Sequence, residues 1–419
     1  MTQSKDQEPT GSAARRAALR MMDAVLRRGE TLDNAAHAAT QGLKSREDKA
    51  LARALASEGL RWLGDLDALI DSATNQILPE DAKPRAVLRL MLAGWLRLGT
   101  PPHAVVATGL DLLQGGPRRL AHGVFSTLVR REVTLPEAPT LPERAAQRWG
   151  AAGERIAAGL AVPPPLDLTL RDAAQTQEWA QRLGGVSLMP GHMRLARGHA
   201  VETLDGYGEG AWWVQDLAAS IPARLIGAPA GQGGGRALDL CAAPGGKTMQ
   251  LAAMGWDVTA LDLSPKRLKL VDDNLARTGL RAHCVQGDAL VWEPEERFDA
   301  ILIDAPCTAT GTARRHPDVL HRIGPRQIEE MAGIQQRLIE RAAQWLNPGG
   351  RLVYAVCSLE RAEGAGQAAG VTGLIDEPVS AQELPEGIVP TSEGWVRTDP
   401  GMLQEAGGLD GFFMARWRK

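Results

Sequence analysis

The chain has 419 residues, of which 44% are hydrophobic and 23% charged, ordinary globular usage that excludes disorder as its main state and predicts two or three domains. With 47 Lys/Arg against 50 Asp/Glu the formal net charge is −3, so overall charge does not point to a nucleic-acid partner and only a local basic surface can. The four cysteines, Cys241, Cys284, Cys307 and Cys357, form no CxxC pair and have no histidine at zinc-ligand spacing, which excludes a disulfide framework, leaves no metal site to expect and fits a reduced, cytoplasmic setting.

The first residues, MTQSKDQEPTGSAARRAALR, carry charge but no apolar h-region, so no secretory signal is expected. No run approaches the roughly 18 apolar residues of a membrane span. Residues 1–11 are polar and are expected to form a disordered tail. Residues 12–135 read as an all-α bundle. ARRAALRMMDAVLRRG sets Ala17, Met21, Ala24 and Val25 near one face, and REDKALARALASEGLRWLGDLDALI repeats the pattern. Pro84 suits the first turn of PRAVLRLMLAGWLRLG; PPHAVVATGLDLLQGG starts after proline and stops at glycine; HGVFSTLVRRE follows. Residues 1–131 hold 19 Lys/Arg and 14 Asp/Glu. Their arginines cluster at Arg15, Arg16, Arg20, Arg27 and Arg28, and at Arg118, Arg119, Arg130 and Arg131. Such clusters make a solvated helical face or a phosphate-contacting surface, and the pattern alone does not choose.

The proline-rich stretches LPEAPTLPE and AVPPPLD mark residues 136–164 as a connector carrying one short helix around Arg144 to Leu160. Residues 165–230 read as a small α+β unit, with GAPAGQGGG as a surface turn after it. From residue 231 to 419 strands alternate with helices. ALDLCAA, DVTALDL, AHCVQGD, FDAILIDA and RLVYAVCS are the strands; KTMQLAAM, PKRLKLVDDNLART and RQIEEMAGIQQRLIERAAQWL are helices. This predicts a doubly wound, Rossmann-like α/β sheet that binds ligands at its strands' carboxyl ends, with GFFMARW as an antiparallel edge strand.

Several of those strand ends carry chemistry. In LDLCAAPGGKT a strand feeds a small-residue turn, Cys241, Ala242, Ala243, Pro244, Gly245 and Gly246, and then a helix whose free N–H groups suit an anionic ligand. Neither a P-loop nor a GxGxxG turn is present. Asp262 ends the next strand, where a carboxylate accepts ribose hydroxyls or caps a turn, and Lys266 and Arg267 follow it. Asp288, followed by Ala289, ends the third strand, where it holds a base or forms an Asx turn. Three such positions in order predict an adenosine-containing ligand with an anionic tail served by Lys247. Without pyrophosphate machinery that ligand is S-adenosylmethionine before NAD. Asp304, Pro306 and Cys307 end the fourth strand and Cys357 the fifth, so both sulfurs are expected at one pocket.

LDLCAAPGGKT, DAPCTATGTARRHPD and LVYAVCS resemble the signature segments of the NOL1/NOP2/Sun RNA cytosine-5 methyltransferases. The helical front, in GLRWLGDLDALI and LMLAGWLRLGTPPHAVV, resembles the NusB-like RNA-binding domain of that family's bacterial 16S rRNA member. The resemblance implies methylation of cytosine C5 with S-adenosylmethionine, through a covalent cysteine–C6 adduct, in structured RNA and first of all 16S rRNA. It implies Cys357 as nucleophile and Cys307 as the thiol that assists proton removal or product release. The residues alone leave those two roles interchangeable. Asp304 is expected at the N3 or amino edge of the cytosine and to touch the cofactor. Lys247 resembles a family residue close to both cofactor and target. Arg15, Arg16 and Arg20 in the bundle, with Arg314 and Arg315 after Cys307, are the candidate RNA contacts; Arg315 is alternatively a tie to acidic neighbours. Gln215 and Asp216 match a family segment read as pocket wall and helix cap.

The chain departs from the family pattern at Ala309, where Gly is usual, at Val356 in place of Thr, and after Cys357, where Ala362, Glu363 and Gly364 stand in place of Glu-Glu-Asn, so that an amide contact is missing. In the small middle unit a family Arg-x-Asn is replaced by Leu170-Arg171-Asp172 or Leu168-Thr169-Leu170, depending on alignment. Two rivals stay open: a catalytically silent RNA-binding ribosome-assembly factor, and a cytosine-5 methyltransferase acting on another RNA such as tRNA. A nicotinamide-linked reductase needs a glycine turn that is absent. A monomer without membrane or obligate protein partner is expected.

Overall fold

Residues 11–230 and 234–419 are described in the computed structural model. The polar segment 1–10, expected as a tail, and residues 231–233 of the expected surface turn lie outside the described residues. The chain divides into two compact units. One runs to Ala161 and includes Arg315–Ile323; the other is Val162–Arg314 with Gly324–Lys419.

The first unit is helical: α1 (Ser12–Arg28), α2 (Leu32–Ala39), α3 (Arg46–Arg61), α4 (Leu63–Ser72), α5 (Lys83–Leu96), α6 (Pro102–Gly109), α7 (Gly115–Arg130), α8 (Glu143–Trp149) and α9 (Gly153–Leu160). Ser45 caps α3 by accepting from Asp48 N, and Pro84 lies in the first turn of α5. The stretch REDKALARALASEGLRWLGDLDALI forms two helices that meet at Trp62, whose ring is buried beneath the Arg97 guanidinium, 4.7 Å from its centroid. The expected connector is instead packed into this unit and holds two helices. Thr140 N and Oγ1 donate to Asp65 at 2.9 and 2.6 Å, and Arg61 donates to Leu160 O at 3.0 Å.

The second unit begins with β1 (Leu166–Leu170), α10 (Thr176–Leu183), β2 (His192–Leu195), β3 (Trp212–Val214) and α11 (Leu217–Ile226). Its strands form an antiparallel sheet of order β2-β1-β3. There the Arg194 fork grips Asp167 at 2.7 Å through both oxygens; burial alone would raise that carboxyl, but Arg194 and His192 outweigh it and hold it well below the usual carboxylate range.

Next come β4 (Arg236–Leu240), α12 (Gly246–Ala253), β5 (Asp257–Asp262), α13 (Pro265–Thr278), β6 (His283–Gln286), β7 (Phe298–Asp304), α14 (Val319–Arg322), α15 (Pro325–Trp345), β8 (Leu346–Val356), α16 (Ala365–Ala368), β9 (Ile375–Asp376), β10 (Val396–Thr398) and β11 (Phe412–Arg418). The large sheet has the order β10-β11-β8-β7-β4-β5-β6, with β9 on β11. β4 to β8 are parallel. β11 is antiparallel as expected but is not an edge, because β10 and β9 pair with its far side. Its residues Phe412 to Trp417 are all buried, the continuous run of an internal strand and not the alternation of an exposed one. The chain winds outward from β4 to β6 and returns to the other side of β4 as β7. A crevice therefore opens at the carboxyl ends of β4 and β7, where such sheets bind ligands. Among the described residues no helix is long and apolar enough to cross a membrane.

Although flanked in sequence by β7 and α15, the segment holding α14 packs within the helical unit. Val319 and Leu320 are buried, and the His321 ring Nε2 lies 2.7 Å from Leu60 O.

Candidate active site

The turn after β4 is shaped by conformations that few side chains accept. Cys241 has φ 63° and Gly245 φ 102°, and a Cβ on Gly245 would stand 3.1 Å from Val271 Cγ1. Gln215 lies beneath the start of α12. Its Oε1 accepts from Trp213 Nε1 and its Nε2 donates to Gln250 Oε1, both at 2.8 Å. Asp216 caps α11 through Ala218 N. Burial, with acidic neighbours second, pushes the Cys241 thiol up to about 12, so it stays a neutral wall of the turn.

The two carboxylates at the ends of β5 and β6 are already anchored. Asp262 accepts from Ala243 N at 3.1 Å and Ser264 N at 2.9 Å, and Asp288 accepts from Leu290 N at 2.9 Å in an Asx turn. Each carboxylate oxygen offers two lone pairs, so these bonds fix the side chains and leave acceptor capacity. Arg267 is exposed, donates to Ala243 O and stands 3.7 Å from Asp262; Lys266 is exposed, and buried Ala289 accepts from Arg341 through its carbonyl at 2.9 Å. Carboxylate acceptors for hydroxyls, a close-approach turn and a helix N-terminus fit a nucleoside with an amino-acid tail.

Lys247, at the first turn of α12, bonds Asp304 Oδ2 at 2.7 Å across the crevice. Burial alone would lower its ammonium, but Asp304 outweighs burial and the net shift is upward. Behind it, fully buried Asp239 accepts from Thr248 Oγ1 at 2.6 Å, and burial pushes it up to about 7.

Cys307 and Cys357 come together. Their sulfurs are 3.4 Å apart at the ends of neighbouring strands β7 and β8, and both residues are partly exposed. Ala305 N donates to Ala355 O and Gly311 N to Cys357 O, both at 3.0 Å. A Cβ on Gly311 would overlap the Gly411 carbonyl, so only glycine fits this crossing. The hydrogen bond to the Cys357 sulfur, then burial, hold the Cys307 thiol well above its ordinary range. Two thiols, one of them kept protonated, beside a lysine–carboxylate pair form a site for covalent catalysis on an electrophilic ring.

Residues 12–115 match the NusB family and residues 229–418 the family described as 16S rRNA methyltransferase RsmB/F. A protein named ribosomal RNA small subunit methyltransferase B, from Salmonella agona, is 32% identical over 96% of this chain and 97% of its own; the Salmonella typhi protein of that name gives the same figures. The chain belongs to the ribosomal RNA small subunit methyltransferase B family. It is an S-adenosylmethionine-dependent RNA cytosine-5 methyltransferase with a NusB-like helical region and a Rossmann-like methyltransferase domain. Among solved structures, the protein PH0851 superposes with a TM-score of 0.71 at 22% identity, covering 99% of this chain and 100% of that one. NSun6 from Pyrococcus horikoshii gives 0.57 at 18%, covering 66% and 98%; both show the shared fold.

Within this family site one residue, read in the sequence only as the middle of Ala362-Glu363-Gly364, had been given no role. Glu363 is fully buried behind both cysteine loops and is bonded to residues of each. An acid a few residues after Cys357 was the available signal; its convergence with the other loop was not written in the spacing.

The candidate RNA contacts divide. Arg15 is turned inward and donates to Gly11 O at 3.1 Å, and Arg314 is buried and donates to Gly407 O at 2.6 Å. Neither offers its guanidinium to a phosphate, which corrects the expectation for both. Arg20 is exposed, and Arg16 and Arg315 are half-buried. Arg27 and Arg28 are exposed but pair with Asp23 and Glu30. Near Arg315, His316 Nδ1 stands 3.6 Å from Asp33.

Proposed function

We propose that this methyltransferase acts in the cytoplasm on small-subunit (16S) rRNA, with Cys357 as nucleophile. The substrate follows its relatives, whose names state that molecule. The role of Cys357 follows the resemblance of LVYAVCS to the family's signature segment, and the observation that supports a shared covalent site is the 3.4 Å between its sulfur and that of Cys307.

Cytosine C5 is a weak nucleophile. The Cys357 thiolate adds to C6, and the electron pair this releases makes C5 nucleophilic. S-adenosylmethionine supplies the methyl group as an activated sulfonium. Asp304 contacts the N3 or amino edge and stabilises the ring as its charge changes; Lys247 orients Asp304 through their 2.7 Å bond. After methylation the C5 proton leaves to a base and the C6–S bond breaks, which restores the aromatic ring and returns the Cys357 thiolate. Cys307 assists this second half. The helical unit positions structured RNA by shape and phosphate contact, with Arg16, Arg20 and Arg315 as its candidate residues. A paired target base is flipped into the crevice.

Bisulfite sequencing of cellular rRNA and tRNA, with and without the gene, tests the reading. Loss of one protected cytosine in 16S rRNA, restored by the wild-type gene and not by Cys357→Ala, is expected. Loss confined to a tRNA would move the substrate; full rescue by Cys357→Ala would overturn the nucleophile.

A further inference from the structure

Glu363 has no exposure to solvent, yet every contact to its carboxylate comes from a donor. Thr308 donates to it twice, from N to Oε2 at 2.9 Å and from Oγ1 to Oε1. Ser358 Oγ donates to Oε1 at 2.7 Å, and Gln335 Nε2 to Oε2 at 3.0 Å. Two of these partners are N–H groups that can only donate, and with both hydroxyls donating as well the carboxylate is fully satisfied in its ionised form. Thr308 follows Cys307 and Ser358 follows Cys357. Gln335 Nε2 also donates to Pro306 O, on the other side of Cys307, at 2.8 Å. One side chain therefore holds the immediate neighbours of both sulfurs.

We propose that Glu363 is a positioning residue for methyl transfer, a buried carboxylate that ties the two cysteine-bearing loops together and assigns the proton between the sulfurs to Cys307. This rests on the roles given to the two cysteines above. The charges around the pair are asymmetric. The Glu363 anion raises Cys307, whereas the Lys247 cation, from α12 and paired with Asp304 of β7, lies within electrostatic reach of Cys357. Tyr354, from β8, donates to the Glu363 carbonyl at 2.5 Å and is itself held well above its ordinary range by burial first, so it adds no charge. On this reading the hydrogen between the sulfurs stays with Cys307. Glutamine at 363 keeps the shape, removes the charge and sets an amide NH2 against the Thr308 and Gln335 donors.

The test is site-resolved iodoacetamide labelling of the full-length protein across pH 6.5–10, read by mass spectrometry. In the wild type Cys357 is labelled first and Cys307 resists to the top of the range. In Glu363→Gln the Cys307 midpoint falls by about one pH unit or more, the scale of a nearby charge removed. There kcat drops about 10- to 100-fold, as for a small misplacement of reacting groups, with KM for S-adenosylmethionine unchanged. Ser358→Ala removes one tie but not the charge, and leaves the Cys307 midpoint in place. A folded Glu363→Gln protein with the wild-type Cys307 profile overturns the proposal. If that variant does not fold, the wild type still decides: Cys307 labelled before Cys357 overturns it. Labelling needs no turnover, so an error in the nucleophile reading shows separately, as methyl transfer by Cys357→Ala.

Discussion

A thiol that holds its proton beside one that must give its proton up divides the labour of a two-step covalent reaction. Cys307→Ala leaves the attacking sulfur and removes its helper, so methylated RNA should accumulate bound to the protein. A band resistant to denaturing electrophoresis, formed with 16S rRNA and labelled S-adenosylmethionine, checks this; a variant releasing product at the wild-type rate would remove Cys307 from the second half. Asp239 makes a different prediction. Burial lifts it to about 7, against roughly 4 in an unfolded chain, so between these values the folded protein keeps a proton that the unfolded chain has lost. Its contribution to stability therefore falls as pH rises through that window. Asp239→Asn should flatten this part of the pH dependence, measured as denaturation midpoints at pH 5 and 7.5. Arg15 shows what charge alone conceals. It lies on the helical stripe of Ala18 and Met22, both buried, and that spacing was available in the sequence.

At the scale of elements, the departures from the family pattern find local causes. Ala309 sits at φ 57°, in the left-handed region where the family has glycine. Ala309→Gly should stabilise the protein by about 0.5–1 kcal/mol, the strain relieved less the entropy glycine adds to the unfolded chain, and thermal melting reads it. Gly364 stands where a Cβ would meet Phe413 Cγ at 2.8 Å, so the packing of β11 leaves no room for the usual Asn. Val356 is buried at the end of β8, where a methyl replaces the hydroxyl without stranding a polar atom. The inner parallel strands β4, β7 and β8 were legible because burial on both faces leaves short apolar runs that end near Asp or Cys. The place of β11 was not, since β9 and β10 are only two and three residues long and leave almost no pattern. The role of Glu363 was hidden for a related reason: its partners lie up to 55 residues away.

For the whole molecule, the change from helices to strands alternating with helices was readable in the sequence, but the allocation of chain to the two units, which divide at Ala161/Val162, was not. Pro-rich text suggested a slack connector before Leu166, and nothing local showed that Val319 and Leu320 fill the helical unit. Leu320→Ala, at a site 5% exposed, should destabilise that unit by about 2–4 kcal/mol and lower its melting transition, while the sheet unit's transition stays in place. A single coincident loss of both would mean that the units do not melt separately.

The chain passes between its two units at residues 161/162, 314/315 and 323/324. The front bundle is therefore no detachable bead on a string. A cut after Ala161 frees a fragment whose core is missing its plug, Arg315–Ile323, which stays on the other piece. Grafting RNA specificity from one relative to another by exchanging front ends has to carry that plug across as well, or the hybrid inherits a mismatched seam inside the bundle.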